Sequence, residues 1–189
     1  DNLLKKFFNF AKPSEPHSAN YDIKMIIDGV YLLLSHQLKN NKVTFNKDFS
    51  KQTPQVFVDE NQIEQMLMNV FLNAVQAMPG GGVISVSANT NVIYKEEKTG
   101  LGESRIKGTT DGKEPVVYVE INDTGSGISK ENLERMFTPF FSTKKEGIGL
   151  GLSICRQLML KNNGEIDIMS EEGRGSTVIL TLPASLAGC

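Results

Sequence analysis

The sequence predicts an α+β fold: a two-layer sandwich in which a mixed, mainly antiparallel sheet carries three larger helices on one face. Three observations lead there. Segments with helical spacing of apolar residues alternate irregularly with short period-2 runs, rather than in the strict strand–helix repeat of a parallel sheet. The last two strand-like runs, residues 165–170 and 177–182, are joined by a tight Glu172–Gly175 turn and form a hairpin. The helical segments are three in number and long enough to bury a face each.

The elements follow in order. Residues 1–12, DNLLKKFFNFAK, have helical apolar spacing until Pro13 and Pro16 break it, so they read as the end of a helix followed by an extended PSEP linker. Asn20 or Asp22 can cap the next helix, residues 21–38, which carries Ile23, Ile26, Ile27, Val30, Tyr31, Leu33 and Leu34. Residues 43–49 alternate as a strand, Pro54 interrupts, and residues 56–58 form a second short strand. Helix 61–78 comes next, stopped by Pro79 and three glycines. Strands 83–90 and 116–122 flank a charged, glycine-rich stretch, 91–114, that reads as a long solvated hairpin loop. Ser129 can cap a short helix over 130–137, and a helix over about 150–161 ends with Gly164 as its expected C′ residue.

At 189 residues the chain is one domain, or one domain with a short appendage. It is 39% hydrophobic and 22% charged, the balance of a globular protein. A net charge of −2 without a basic surplus speaks against nucleic acid as a partner. No apolar run approaches the roughly 20 residues of a membrane span, and the first residues do not read as a signal peptide. Cys155 falls in an apolar helical run and Cys189 ends the sequence; two such cysteines make no disulfide framework and fit a reducing, cytoplasmic setting. Two histidines without a Cys–His cluster exclude a structural zinc site.

The helix over 61–78 is the most informative stretch. Gln62, Gln65, Asn69, Asn73 and Gln76 fall in one wedge of roughly 80° on an otherwise apolar helix. A solvated stripe normally carries Lys and Glu. Amides without cations suit a polar ligand or a hydrated cation. Asp123-Thr124-Gly125-Ser126-Gly127 follows a strand directly, and a carboxylate there can accept from an exocyclic amine while the glycines let a flat ring approach. Gly147-Ile148-Gly149-Leu150-Gly151-Leu152 opens a helix and frees backbone N–H groups at its positive end. No Lys-Ser or Lys-Thr follows, so it is not a P-loop, and no βαβ unit surrounds it, so it is not a dinucleotide fingerprint. Between these runs lies Phe137-Thr138-Pro139-Phe140-Phe141-Ser142-Thr143-Lys144-Lys145. It reads either as a hinged lid whose aromatics dock on closure and whose lysines reach a polyphosphate, or as a loop pinned to the core by Phe137 and Phe140. Gly173-Arg174-Gly175-Ser176-Thr177 is by itself a turn.

Taken together and in this order, the amide helix, DTGSG, FTPFFSTK, GIGLGL and GRGST resemble the N, G1, F, G2 and G3 boxes of sensor histidine kinases. Each run alone is weak; all five at ordinary spacing are specific. The leader LLKKFFNFAKP resembles the last turns of the dimerisation helix in kinases of the nitrogen-regulation type. The resemblance therefore divides the chain into 1–19, helix end and linker, and 20–189, a catalytic and ATP-binding domain of the Bergerat (GHKL) fold.

The resemblance implies ATP and Mg²⁺ as ligands. By family pattern Asn73 would bind Mg²⁺, Asn69 would sit beside the phosphates, and Asp123 would accept from the adenine amine. Gly125, Gly127 and Ile128 would line the base pocket, with Ser176 near the base. Lys144 and the backbone of Gly149, Leu150, Gly151 and Leu152 would hold phosphates, with Thr143 on the phosphate side. Many relatives carry a cation one turn after the second Asn, where this chain has Gln76; Lys144 or Lys145 can supply that contact. In related ATP hydrolases the position of Asn69 resembles a glutamate that activates water. An amide is no general base near neutral pH, so Asn69 and Lys144 would serve transfer to a nucleophile other than water. Neither His17 nor His36 is followed by an acidic residue as in the phosphoacceptor box. The expected acceptor is thus a histidine of a separate dimerisation and histidine-phosphotransfer domain of the same protein, with a response regulator downstream. This chain would then be monomeric and the full protein a homodimer. Two other functions remain at this stage: an anti-sigma-type protein serine kinase of the same fold, and a nucleotide-sensing module without transfer activity.

Overall fold

The computed structural model describes residues 14–50, 52–91, 115–144 and 147–185. The expected N-terminal helix, most of the 91–114 loop, Lys145 and Cys189 lie outside the described residues. The elements run β1 (Ala19–Tyr21), α1 (Ile23–Asn40), β2 (Val43–Phe49), β3 (Val56–Val58), α2 (Glu60–Ala77), β4 (Gly82–Asn91), β5 (Val116–Asp123), α3 (Lys130–Arg135), α4 (Gly151–Lys161), β6 (Glu165–Glu171) and β7 (Gly175–Pro183).

Five strands form one sheet in the order β2-β4-β5-β7-β6. Only β2 and β4 are parallel, and the other three pairings are antiparallel. The expected mixed, mainly antiparallel sheet is therefore what forms. Along β5 the buried residues Val117, Val119 and Ile121 alternate with Tyr118 and the exposed Glu120, the period of a half-covered sheet. Ile84 and Val86 of β4 and Leu180 and Leu182 of β7 continue that face. The helices cover it with Ile23, Ile27, Ile63, Met66, Leu67, Phe71 and Met159, all fully buried. Phe45 joins sheet and helices: its ring lies 4.8 Å from Tyr31 of α1 and 5.2 Å, edge-on, from Phe71 of α2.

Three local details differ from expectation. β1 is a strand, antiparallel to β3, where a linker and a helix start were expected; Asp22 then caps α1 through the Lys24 N–H at 3.0 Å. Three residues carry no readable alternation, so only the partner strand makes β1 visible. Second, α4 ends with Asn163 in the left-handed region at φ 54°, and Gly164 is the next residue along. The Gly164 N–H reaches Met159 O at 2.8 Å, closing a Schellman motif. Glycine is still required at 164, because a Cβ would come within 2.7 Å of Thr181 O. Third, Gln62 leaves the ligand stripe. It is only 5% exposed; its Nε2 donates to Ser14 O at 3.1 Å, and its Oε1 accepts from Asn162 Nδ2 at 2.9 Å.

Gln62 belongs to a buried polar clasp at the N-terminus of α2. Asp59 caps the helix through the Gln62 N–H at 3.0 Å and accepts the His17 N–H at 2.8 Å, while its own N–H donates to Asn162 Oδ1 at 2.7 Å. One residue thus holds the incoming chain and the head of α2 through its carboxylate and the tail of α4 through its backbone N–H. Asp59→Ala is expected to lower stability by about 1–2 kcal/mol, the cost of a lost N-cap. Thermal or urea unfolding checks this, and a variant as stable as wild type would remove the clasp from the account.

Candidate nucleotide site

The sheet register builds the first half of the site. Asp123 ends β5 opposite Ser176 of β7. Its Oδ1 accepts the Gly125 N–H at 2.8 Å, and the Ser176 backbone N–H also donates to the carboxylate. Partial burial raises the Asp123 pKa above the ordinary 3.8, and those two N–H donors act against the rise. The turn that follows is tied to α2, since the Ser126 N–H donates to Ala77 O at 3.0 Å.

Helix α2 builds the second half. Gln65, Asn69, Asn73 and Gln76 all face the same cleft, of about 780 Å³. Across it, Lys144 Nζ donates to Asn73 Oδ1 at 2.8 Å and to Gln76 Oε1. Desolvation lowers the Lys144 pKa below its ordinary 10.5. The side-chain nitrogen of a lysine thus already sits on the Asn73 oxygen, and Gln76 shares it. Gln76, where the resemblance led one to expect a cation, is thus an acceptor for the Lys144 nitrogen.

The head of α4 closes the cleft. Its N-cap is Leu150, with no side-chain cap, so the first-turn N–H groups are left for a ligand. Gly151 has nothing within 4 Å of a would-be Cβ, which leaves the approach to those donors open. Gly149 is needed for another reason: at φ 74° its Cβ would lie 2.5 Å from Phe141 O, so only glycine lets the backbone of the 137–144 loop pass.

Of the residues singled out from the sequence, Asn69, Asn73, Gln76, Asp123, Gly127, Ile128, Thr143, Lys144, Gly149, Leu150, Gly151, Leu152 and Ser176 all line this one cleft. Gly125 does not line it; it acts through its N–H on Asp123. Phe137 packs on the core, with the Arg156 guanidinium 5.5 Å from its ring. Phe140, which the second of the two readings of this loop pins to the core, is 60% exposed, at φ 65°. Phe141 lines the cleft, with Arg135 4.6 Å from its ring. The sequence reading missed Ile121, Asn132, Met136, Ile168 and Val178, which also line the cleft. The strand residues among them, Ile121, Ile168 and Val178, sit in an ordinary alternating pattern with no local mark that separates pocket from core.

The chemistry of this set is that of a charged polyphosphate with an attached flat base: apolar strand residues and a carboxylate at one end, a lysine and free helix N–H groups at the other. The description that matches residues 58–186 is the histidine kinase-, DNA gyrase B-, and HSP90-like ATPase family. The chain belongs to this family. Among curated relatives, the sensor histidine kinase ZraS of Escherichia coli K12 is 29% identical over 184 residues, covering 97% of this chain and 35% of that protein. The chain thus spans about a third of that relative's length. The catalytic domain of histidine kinase ThkA, solved nucleotide-free, is 26% identical and superposes with a TM-score of 0.67, covering 89% of this chain and 96% of that one. Full-length ShkA, solved in complex with AMPPNP, shares the fold with a TM-score of 0.75 at 23% identity, covering 98% of this chain and 36% of that one.

Proposed function

We propose that this member of the histidine kinase-, DNA gyrase B-, and HSP90-like ATPase family is the catalytic and ATP-binding domain, residues 20–189, of a sensor histidine kinase. It transfers the ATP γ-phosphate to a histidine of a separate dimerisation domain, from which a response regulator is phosphorylated. The observation that carries this reading is the convergence of Asp123, the Asn69–Asn73 face of α2, Lys144 and the uncapped head of α4 on one cleft. The kinase relatives support it, and none of the named ones supports a serine kinase.

Each residue has a task. Asp123 accepts from the adenine amine with the carboxylate oxygen that the Gly125 N–H leaves available. Ile128 and Gly127 bound the ring, and Ser176 holds Asp123 through its N–H. The N–H groups of Gly151 and Leu152, with Leu150 at the cap, take phosphate oxygens; Thr143 stands on the same side. Lys144 turns from Asn73 and Gln76 to the phosphates. Mg²⁺ fits here: the Asn73 oxygen already accepts from the Lys144 nitrogen, and this ion asks for only one or two protein ligands. When bound it would neutralise charge on the phosphates. Asn69 offers no base, so water is not activated and the γ-phosphate waits for an imidazole that brings its own.

The test is incubation with γ-labelled ATP and a matching dimerisation domain. Acid-labile label on that domain is expected, with slow ATP turnover by the chain alone. Acid-stable label would favour a serine kinase, and no label under any condition a nucleotide-sensing module.

A pH dependence follows from the two shifted groups. Binding needs the Asp123 carboxylate ionised, so affinity falls as pH drops through its pKa, which lies above 3.8. It also needs the Lys144 ammonium, so affinity falls again as pH rises through a pKa below 10.5. Calorimetry of ATP binding across the range in which the protein stays folded checks this. The acid limb should have its midpoint above the ordinary aspartate value of 3.8, and a profile without an acid limb would contradict the assignment of Asp123.

A further inference from the structure

The row of side chains that carries Asp123 continues past the cleft wall. Asp123 of β5 lies opposite Ser176 of β7, and Ser176 lies opposite Ser170 of β6. Asp123 and Ser176 line the cleft, and Ser170 stands one strand behind them. The Ser170 hydroxyl is fully used. Its oxygen accepts the Ile128 N–H at 2.8 Å, lies 2.7 Å from the Gly175 carbonyl oxygen and 3.0 Å from Ser176 Oγ. A hydroxyl has one proton to give, and a carbonyl oxygen can only accept, so the Ser170 proton goes to Gly175 O. Turned to Ser176 instead, it would leave two oxygens facing each other at 2.7 Å with no proton between them. Towards Ser176 the Ser170 oxygen is therefore the acceptor, and the Ser176 hydroxyl is the donor. That commits the Ser176 proton to β6. What Ser176 has left for the cleft is lone pairs.

We propose that Ser170 is a positioning residue that fixes the Ser176 hydroxyl as a second acceptor beside Asp123, and that the pair selects a base edge carrying an amine over one carrying a carbonyl. Resting on the ATP-site reading, this assigns how the site tells adenine from a 6-oxopurine. An exocyclic amine brings two N–H groups to two acceptors. A 6-oxo group meets lone pairs from both side chains. A Ser176 hydroxyl free to rotate would turn its proton to that oxygen and blunt the selection, and Ser170 prevents this. The simpler alternative is that Ser170 only ties the β6–β7 hairpin to the turn after β5, as the Gly173 N–H does on Ser126 O at 2.7 Å. Its loss would then weaken every nucleotide alike.

The test compares the Kd of inosine triphosphate with that of ATP, both by calorimetry with Mg²⁺. The ratio of the first to the second should fall about three- to tenfold in Ser170→Ala, the effect of one hydrogen bond. It should keep its wild-type value in Ser170→Thr, which retains the hydroxyl. Ser170→Cys, with a sulfur that donates and accepts weakly, serves the same comparison should the alanine variant fail to fold. Ser176→Ala should lower the ratio by itself, and adding Ser170→Ala to it should change the ratio no further. An unchanged ratio in Ser170→Ala, with both nucleotides weakened by one factor, leaves Ser170 a hairpin tie and overturns the proposal. An equal fall with and without the Ser176 hydroxyl overturns it as well. Binding of neither nucleotide by wild type would refute the ATP-site reading itself. Tight ATP binding with an unmoved ratio would leave that reading standing and refute the role of Ser170 alone.

Discussion

Asp123→Asn should weaken ATP binding by about 1.5–3 kcal/mol, or roughly ten- to hundredfold in Kd. The carboxylate is fixed on both sides, by the Gly125 N–H at 2.8 Å and by the Ser176 N–H. An amide in its place can satisfy those donors only with its single oxygen. Its NH₂ group then meets the adenine amine, donor against donor. The fold should tolerate the change, since the Asp123 pKa is raised: ionising this carboxyl works against the folded state above the ordinary aspartate range, and a neutral amide removes that cost. Isothermal calorimetry alongside thermal unfolding checks both halves. Unchanged ATP affinity would take Asp123 out of the base site.

Asn73→Ala should abolish most of the Mg²⁺-dependent part of nucleotide affinity. Its loss should be at least the roughly 10–100-fold that removing even an outer-shell partner of a metal costs. The alanine removes the oxygen that now accepts from Lys144 at 2.8 Å, leaving Gln76 as the sole amide partner of that nitrogen. Two effects follow with opposite signs. Without the metal, Lys144 is freer to reach phosphate, so affinity in chelator should hold or rise. With Mg²⁺, the ligand is missing and the gain from metal disappears. The comparison is therefore ATP affinity with and without Mg²⁺ in wild type and variant. An equal Mg²⁺ enhancement in both would remove Asn73 as the metal ligand.

Much of the site was legible because its parts are local. Asp123 is marked by the glycines beside it, and the phosphate end by the glycines that open α4. Asn69 and Asn73 are marked by helical spacing on an apolar background. What sequence could not show depends on distant partners. Gln62 has the same spacing as Asn69, yet Asn162, one hundred positions away, draws it into the clasp. Gln76 reads as a missing cation until Lys144 is seen on it. β1 exists because β3 pairs with it, and Asn163 takes the left-handed conformation that a reader assigns to the glycine after it. Cys155 reads as a core thiol and is one, fully buried with its S–H on the Met66 carbonyl of the neighbouring helix.

The most direct measurement is a crystal structure of the chain grown with Mg²⁺ and a non-hydrolysable ATP analogue. The account predicts the adenine amine on the Asp123 carboxylate, the metal between Asn73 Oδ1 and the phosphates, and Lys144 moved from Asn73 and Gln76 onto a phosphate oxygen. A nucleotide bound outside this cleft, or one whose base lies away from Asp123, would contradict it.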